Sequence, residues 1–347
     1  MKSLITALIL SLWMLIFSVN GFAQDEEKAV RVETELVSIN VAVIDGVGKP
    51  VVGLAQSQFE IFDNRAKQQI EHFSSASGGI TFGIVYDMHP TTDQRTNAVL
   101  NGLRQFTKSL RPADEYFFVV FNERGSLSLN VVPDSDQLGR HLASPSKREP
   151  RSLYDALFVA AENLRSRKNP KKTLLVITDA ADHNSRRSFN ELREQLKKFD
   201  VQVYAIMLEE TSDRFSSYID ITKNAEKSQP LSDASINERA ALSSITLKTG
   251  GATFPSSFED ERNIFRISQQ VAKEMERQYT LSFYPSELSD GKWHYLRVTL
   301  RGVPDSKKFV LTYRQGYQAT SGRTSGPEGF ESFGSGKISS RRKGIVE

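Results

Sequence analysis

Four near-continuous apolar runs, at 80–87, 115–122, 173–179 and 201–208, constrain this chain more than any other feature. Each is long enough for one strand. None alternates polar with apolar as a half-solvated strand does, so each reads as a strand covered on both faces. The intervals between them carry apolar residues at helical spacing. Val99, Leu103, Phe106 and Leu110 mark a helix over 92–110, Leu153, Leu157, Ala160 and Leu164 one over 152–167, and Leu192, Leu196 and Phe199 one over 188–199. Buried strands alternating with helices predict an α/β fold with a doubly wound, mostly parallel sheet. The polar stretch 209–235 reads as a loop. Residues 238–250 read as a helix closed by Gly250-Gly251, and ATFP (252–255) as a short edge strand.

The flanks have a different rhythm. Between 33 and 75, ELVSINVAVID, FEIFDN and IEHFS are short β-like segments separated by turns such as Gly46-Val47-Gly48-Lys49-Pro50. After a last helix, IFRISQQVAKEMERQ, the segments YTLSFYP, WHYLRVTLRG and KFVLTYRQGY read as three strands. Neither flank has enough strands to stand alone. They are expected to pair into one small β-sandwich, built from the N- and C-terminal segments, that brackets the α/β domain. Trp293, Tyr295 and Tyr284 are expected in its core. The organisation read from the chain is thus 30–78 for the N-terminal β segment, 79–258 for the α/β domain and 259–318 for the final helix and C-terminal β segment. Residues 319–347 are Gly/Ser-rich without periodicity and are expected to be disordered; Arg341-Arg342-Lys343 reads as part of a solvated tail.

Residues 1–23 are read as a signal peptide rather than as fold. Lys2 precedes the apolar run 4–18, and the small-residue stretch Gly21-Phe22-Ala23 follows. The run is shorter than the roughly 20 residues a membrane span needs. The expectation is an exported protein, periplasmic or extracellular, with no stable membrane span after cleavage. Cysteine is absent, which removes disulfides, thiolate metal sites, cysteine nucleophiles and a lipoprotein anchor. A formal net charge of +3 gives no reason to expect a polyanion partner, so no nucleic acid is expected.

Ligands of open α/β sheets bind outside the carboxyl ends of the strands, where strand order reverses. Two of the buried strands end in aspartate, Asp87 and Asp179. The segment 150–157, PRSLYDAL, opens the helix between them. Two acidic strand ends and a hydroxyl-bearing loop are oxygen donors of the kind a hard divalent cation takes.

The order strand-Asp87, helix, strand, Ser152-Leu153-Tyr154-Asp155-Ala156-Leu157, strand-Thr178-Asp179, helix, strand resembles a von Willebrand factor A-type (vWA) domain. Tyr86-Asp87-Met88-His89-Pro90-Thr91 lies where that family has Asp-x-Ser-x-Ser. The segments at 152–157 and 178–182 lie where bacterial members read TALYDAL and TDGxD. With RVETELVSINVAVID, GLAQSQFEIFDN and YRQGYQA in the flanks, the chain is similar to the bacterial VWFA-related proteins known mainly from Acidobacteria, over about residues 30–318.

The resemblance implies a Rossmann-like fold and a metal-ion-dependent adhesion site. In the family, two Ser hydroxyls and a Thr hydroxyl bind Mg²⁺ or Mn²⁺, Asp residues bind directly or through water, and a carboxylate of the bound protein completes the shell. By position, Asp87 and Asp179 match and Thr91 keeps a hydroxyl, so Asp87, Thr91 and Asp179 would be the metal ligands. His89 stands in place of the first Ser. Arg151 falls on the Thr position, with Ser152 one residue later. Imidazole is a poor Mg²⁺ ligand, and a guanidinium beside a divalent cation is electrostatically costly. The reading preferred from these departures is a degenerate, metal-free site without a cofactor, in which Arg151 replaces the cation and pairs with Asp87 and Asp179. Mg²⁺ or Mn²⁺ is the other possibility.

Other chemistry is poorly supported. His72, His89, His141, His183 and His294 show no HExxH or ligand spacing, although His183, in the loop after Asp179, is placed to reach the crevice. No Gly-x-Ser-x-Gly elbow and no phosphate-binding P-loop motif occurs. The basic run 165–172 reads as a helix end. The expected function is therefore a non-enzymatic protein-binding module. Asp87, His89, Thr91, Arg151, Ser152 and Asp179 would dock an acidic side chain of a protein partner. The alternatives are an exported hydrolase using Asp87 and His89, and a purely structural envelope protein.

Overall fold

The four apolar runs become neighbouring strands of one sheet. The computed structural model describes residues 36–75, 78–87, 93–122, 125–129, 152–209, 233–257, 259–285 and 290–320. The signal peptide, residues 321–347 of the tail and most of the 209–235 stretch lie outside them. In chain order the strands are β1 (Val37–Ile44), β2 (Phe59–Asp63), β3 (Ala66–Gln68), β4 (His72–Ser74), β5 (Ile80–Asp87), β6 (Glu115–Asn122), β7 (Gly125–Leu129), β8 (Lys171–Thr178), β9 (Gln202–Glu209), β10 (Thr253–Ser257), β11 (Tyr279–Phe283), β12 (Trp293–Leu300), β13 (Val310–Thr312) and β14 (Gly316–Gln318). The helices are α1 (Asp93–Lys108), α2 (Leu153–Arg165), α3 (Phe189–Lys198), α4 (Asp233–Thr249) and α5 (Glu261–Glu276).

The central sheet has the order β10-β9-β8-β5-β6-β7. Its first five strands are parallel, and β7 runs antiparallel to β6 at the edge. Counted from β5, this is the doubly wound order 3-2-1-4-5-6, and strand order reverses between β5 and β8. β5 is buried at every position. One face packs Val99, Leu103 and Phe106 of α1 with Ile264, Ile267 and Val271 of α5. The other face packs α2, α3 and α4 through Leu157, Leu192 and Leu242. The α/β reading of the sequence holds, because only strands covered on both sides tolerate such runs. β7 was not anticipated: GSLSL alternates serine with leucine and lacks an apolar run.

Helix α4 ends as its Gly-Gly pair predicts. Gly250 takes φ +81°. Its N–H donates to the Leu247 carbonyl at 3.3 Å and that of Gly251 to the Thr246 carbonyl at 2.8 Å, the paired bonds of a Schellman cap.

Two four-stranded antiparallel sheets, β13-β1-β11-β4 and β14-β12-β2-β3, face each other. Ile39, Val41, Leu281 and Phe283 of one meet Ile61, Leu296 and Val298 of the other. The flanks thus form a β-sandwich from both ends of the chain, as expected. It joins the α/β part at the N-terminal ends of the parallel strands. There, fully buried Lys171 donates from Nζ to the carbonyls of Met275, Glu276 and Gln278 at 2.8, 3.2 and 3.1 Å. The first two carbonyls belong to the last turn of α5, where the helix has no backbone donor left to offer them, and the third lies just past its C-cap Arg277.

Two expectations for the sandwich are corrected. KFVLTYRQGY is not one strand: β13 pairs with β1 in one sheet and β14 with β12 in the other. The chain crosses between sheets at Tyr313–Gln315, where Gln315 N–H donates to the Lys248 carbonyl and Leu296 N–H to the Gln315 carbonyl. Gly316 completes the crossing, since a Cβ there would collide with the His294 carbonyl and the Trp293 ring. Nor are the three aromatics core. Tyr284 is 48% and Tyr295 68% exposed, and Trp293 is half-buried. The inward positions of β12 are His294, Leu296 and Val298. Alternation was read correctly, but on the wrong face. His294 tolerates burial because Nδ1 meets Asp63 at 2.8 Å, Nε2 meets Asp290 at 3.2 Å, and the Tyr317 hydroxyl donates to the same Asp63 at 2.8 Å.

Candidate functional site

The candidate site is the rim at the carboxyl ends of β5 and β8. The parallel register sets Tyr86 opposite Ile177, so Asp87 ends β5 beside Thr178. The Thr178 hydroxyl donates to Asp87 Oδ2 at 3.0 Å, and both residues are buried. The same hydroxyl oxygen accepts the Ala180 N–H at 2.9 Å. Ala180 has φ +74°, a left-handed backbone unusual for a residue with a Cβ. Where the bacterial pattern has glycine this chain has alanine, and the turn persists. Asp179 follows Thr178, half-buried, and its Oδ1 accepts the Ala181 N–H at 3.1 Å. The two acidic strand ends therefore sit on one rim, at the switch point. Asp87 is 4% exposed, so the solvent-facing carboxylate of the pair belongs to Asp179.

Helix α2 opens beside this rim. Ser152 is its buried N-cap and forms no side-chain capping bond. The first turn is held to the loop after β8 instead. Asp155 accepts the N–H groups of Arg186 and Arg187, both at 3.0 Å, and its own N–H donates to the Ser185 hydroxyl at 3.2 Å. Burial raises Asp182 above the usual carboxylate range, against hydrogen bonds from Ser185 and the backbone of Leu153 and Asn184. Burial, then the Asp87 charge, pushes the Tyr86 hydroxyl well above its ordinary value. His183 lies 4.0 Å from Glu238 of α4. Farther along the same edge, buried Glu209 ends β9 and accepts from Arg239 at 2.9 Å.

Of the six residues named from the sequence, Asp87, Ser152 and Asp179 are placed here. His89, Thr91 and Arg151 lie outside the described residues. Thr178, Asp155 and Asp182 were not singled out, although each stands inside a quoted motif. Their work is to hold the loops, which motif position alone does not reveal.

A divalent cation would find two carboxylates and one hydroxyl in the described part of this set. Among the described residues no group of three or more His, Asp or Glu is gathered for a metal. No described helix is long and apolar enough to cross a membrane.

No protein-family model and no curated protein matches the chain. Solved structures do. A von Willebrand factor type A protein from Catenulispora acidiphila is 8% identical, with a TM-score of 0.42 over 83% of this chain and 74% of that one. The conserved hypothetical protein BatB from Bacteroides thetaiotaomicron is 15% identical, with a TM-score of 0.39 over 56% and 98%. The SpRpn10 VWA domain is 12% identical, with a TM-score of 0.35 over 53% and 94%. The strand order and the aspartates at its switch point define a doubly wound, mostly parallel α/β fold, to which a β-sandwich of the two flanks is joined.

Proposed function

We propose that this chain is an exported, non-enzymatic vWA-type module that binds a protein partner at the β5–β8 rim. The partner contributes an acidic side chain. Arg151, adjoining the α2 N-cap, supplies the positive charge in place of a cation. A guanidinium suits this role because its planar fork can serve two carboxylates at once. Asp87, held from beside by Thr178, is the inner of those carboxylates and Asp179 the outer. His89, Thr91 and Ser152 complete the wall. The single observation that supports this reading most is the Thr178–Asp87 hydrogen bond, since it sets both acidic strand ends at one switch point.

The test is an array of acidic peptides probed with the full chain. Binding is expected for wild type and a loss of about tenfold or more in Arg151→Glu, as for a truncated charge contact. Equal retention of the same peptides by both proteins overturns the reading.

A further inference from the structure

A second concave surface lies at the other end of β9. Residues of α3, the 199–201 turn, the end of α4 and strands β12 and β14 enclose a groove of about 360 Å³. This is the lower end of the range for ligand pockets. Its walls carry four cations: Arg193, Lys197, Lys248 and Arg314. Glu194 pairs with Lys197 at 2.7 Å and lies 3.5 Å from Arg193; Asp200 lies 3.6 Å from Arg314. Cations thus exceed nearby acids by two. The Nε atoms of Arg193 and Arg314 are buried with no hydrogen-bond partner. Trp293 and Tyr295 form an edge-to-face pair with centroids 6.4 Å apart, and Lys197 Nζ stands 5.1 Å from the Trp293 ring. An outward aromatic pair framed by cations is a surface for an acidic peptide with aromatic side chains.

The chain itself carries such a peptide close by. Strand β14 forms part of the groove wall, and the Ala319 N–H donates to the Lys292 carbonyl at 2.9 Å, so the described chain ends alongside Trp293. A few residues later come Glu328, Phe330, Glu331 and Phe333. The intervening residues 321–327 span up to about 25 Å when extended. We infer that residues 328–333 of this same chain occupy the groove, their carboxylates meeting its four cations and their rings the Trp293–Tyr295 pair. Tethering gives the segment an effective concentration in the millimolar range, so even a weak site is filled in cis. The groove is independent of the rim at Asp87 and stands or falls separately from it.

Trp13 and Trp293 are the only tryptophans, so a full chain carrying Trp13→Phe reports on Trp293 alone. Three such chains are compared by acrylamide quenching: the parent, Phe330→Ser/Phe333→Ser, and Lys248→Glu. Lys248 is exposed, so its reversal opens the groove without disturbing the core. Quenching about twofold stronger than the parent is expected in both variants, since the tail no longer shields the ring. A synthetic 324–336 peptide added to the Phe330→Ser/Phe333→Ser chain restores the parental value and leaves the Lys248→Glu chain unchanged. Identical quenching in all three chains, or a peptide without effect on the first variant, overturns the inference. Restoration by polyglutamate as readily as by the peptide also overturns it, because the groove is then a general anion site.

Discussion

Thr178 Oγ1 and Asp87 Oδ2 lie 3.0 Å apart and join the carboxyl ends of two adjacent parallel strands. That hydroxyl also takes the Ala180 N–H, so one side chain fixes both a buried carboxylate and the turn that follows. Thr178→Val keeps the shape and removes both bonds. The expected cost is about 2 kcal/mol, because a buried carboxylate and a buried N–H each lose a partner. Urea unfolding measures it, and Thr178→Ser restores most of the loss. A Val variant as stable as wild type contradicts the assigned role.

The turn itself is under backbone strain at Ala180. A β-branched side chain tolerates a left-handed φ less than alanine does. Ala180 is also 1% exposed and packs against the α2–α4 face. Ala180→Val should destabilise the fold by about 2 kcal/mol through backbone and overpacking together. A thermal midpoint within a degree of wild type counts against this.

Lys171 is the buried link between the sheet and the end of α5. Burial, and next the Arg111 charge, pushes its ammonium down to about 8. The unfolded chain then binds more protons than the folded one between about pH 8 and 10.5, so this group makes stability rise with pH across that window. Lys171→Met removes the rise. At neutral pH it also leaves three carbonyls without their donor, at a cost of about 2 kcal/mol. Urea midpoints of the two proteins at pH 7 and pH 10 show both effects. Parallel pH dependence in the two proteins contradicts the account.

His294 responds in the opposite sense. Burial pulls its imidazolium down, but the hydrogen bonds and charges of Asp63 and Asp290 outweigh burial and raise it above its ordinary value. Its contribution is therefore complete below about pH 6.5 and is lost as pH rises through the raised folded value. Asp290, held below the usual carboxylate range first by the Lys292 N–H, acts only at lower pH. Tyr317, raised by burial and then by Asp63, stays protonated throughout. Comparing stability at pH 5.5 and pH 8, His294→Gln should show a smaller fall than wild type. An equal fall places the titration elsewhere.

The parts most legible in the sequence were those where burial acts on both faces at once. Runs such as ITFGIVYD leave no other reading, and they carried the α/β order with them. Alternation on β12 was equally plain, yet it defines two faces without saying which is inside. Two aromatics argued for one face, and the Asp63–His294–Tyr317 network, invisible until β2 and β14 are laid on either side of β12, decided for the other. β7 escaped because an edge strand needs little apolar surface. At the rim, Asp87 and Asp179 could be read from strand ends. Thr178, Asp155 and Asp182 could not, because their importance lies in which backbone groups they satisfy across the fold.

The claim that a protein side chain stands where a cation would be is tested most directly by calorimetric titration of the full chain with Mn²⁺ and Mg²⁺. Wild type is expected to give no binding heat, and Arg151→Thr, where a hydroxyl replaces the guanidinium, is expected to gain Mn²⁺ binding. Wild-type binding at about micromolar affinity (near −8 kcal/mol) that disappears in Asp87→Ala would contradict it.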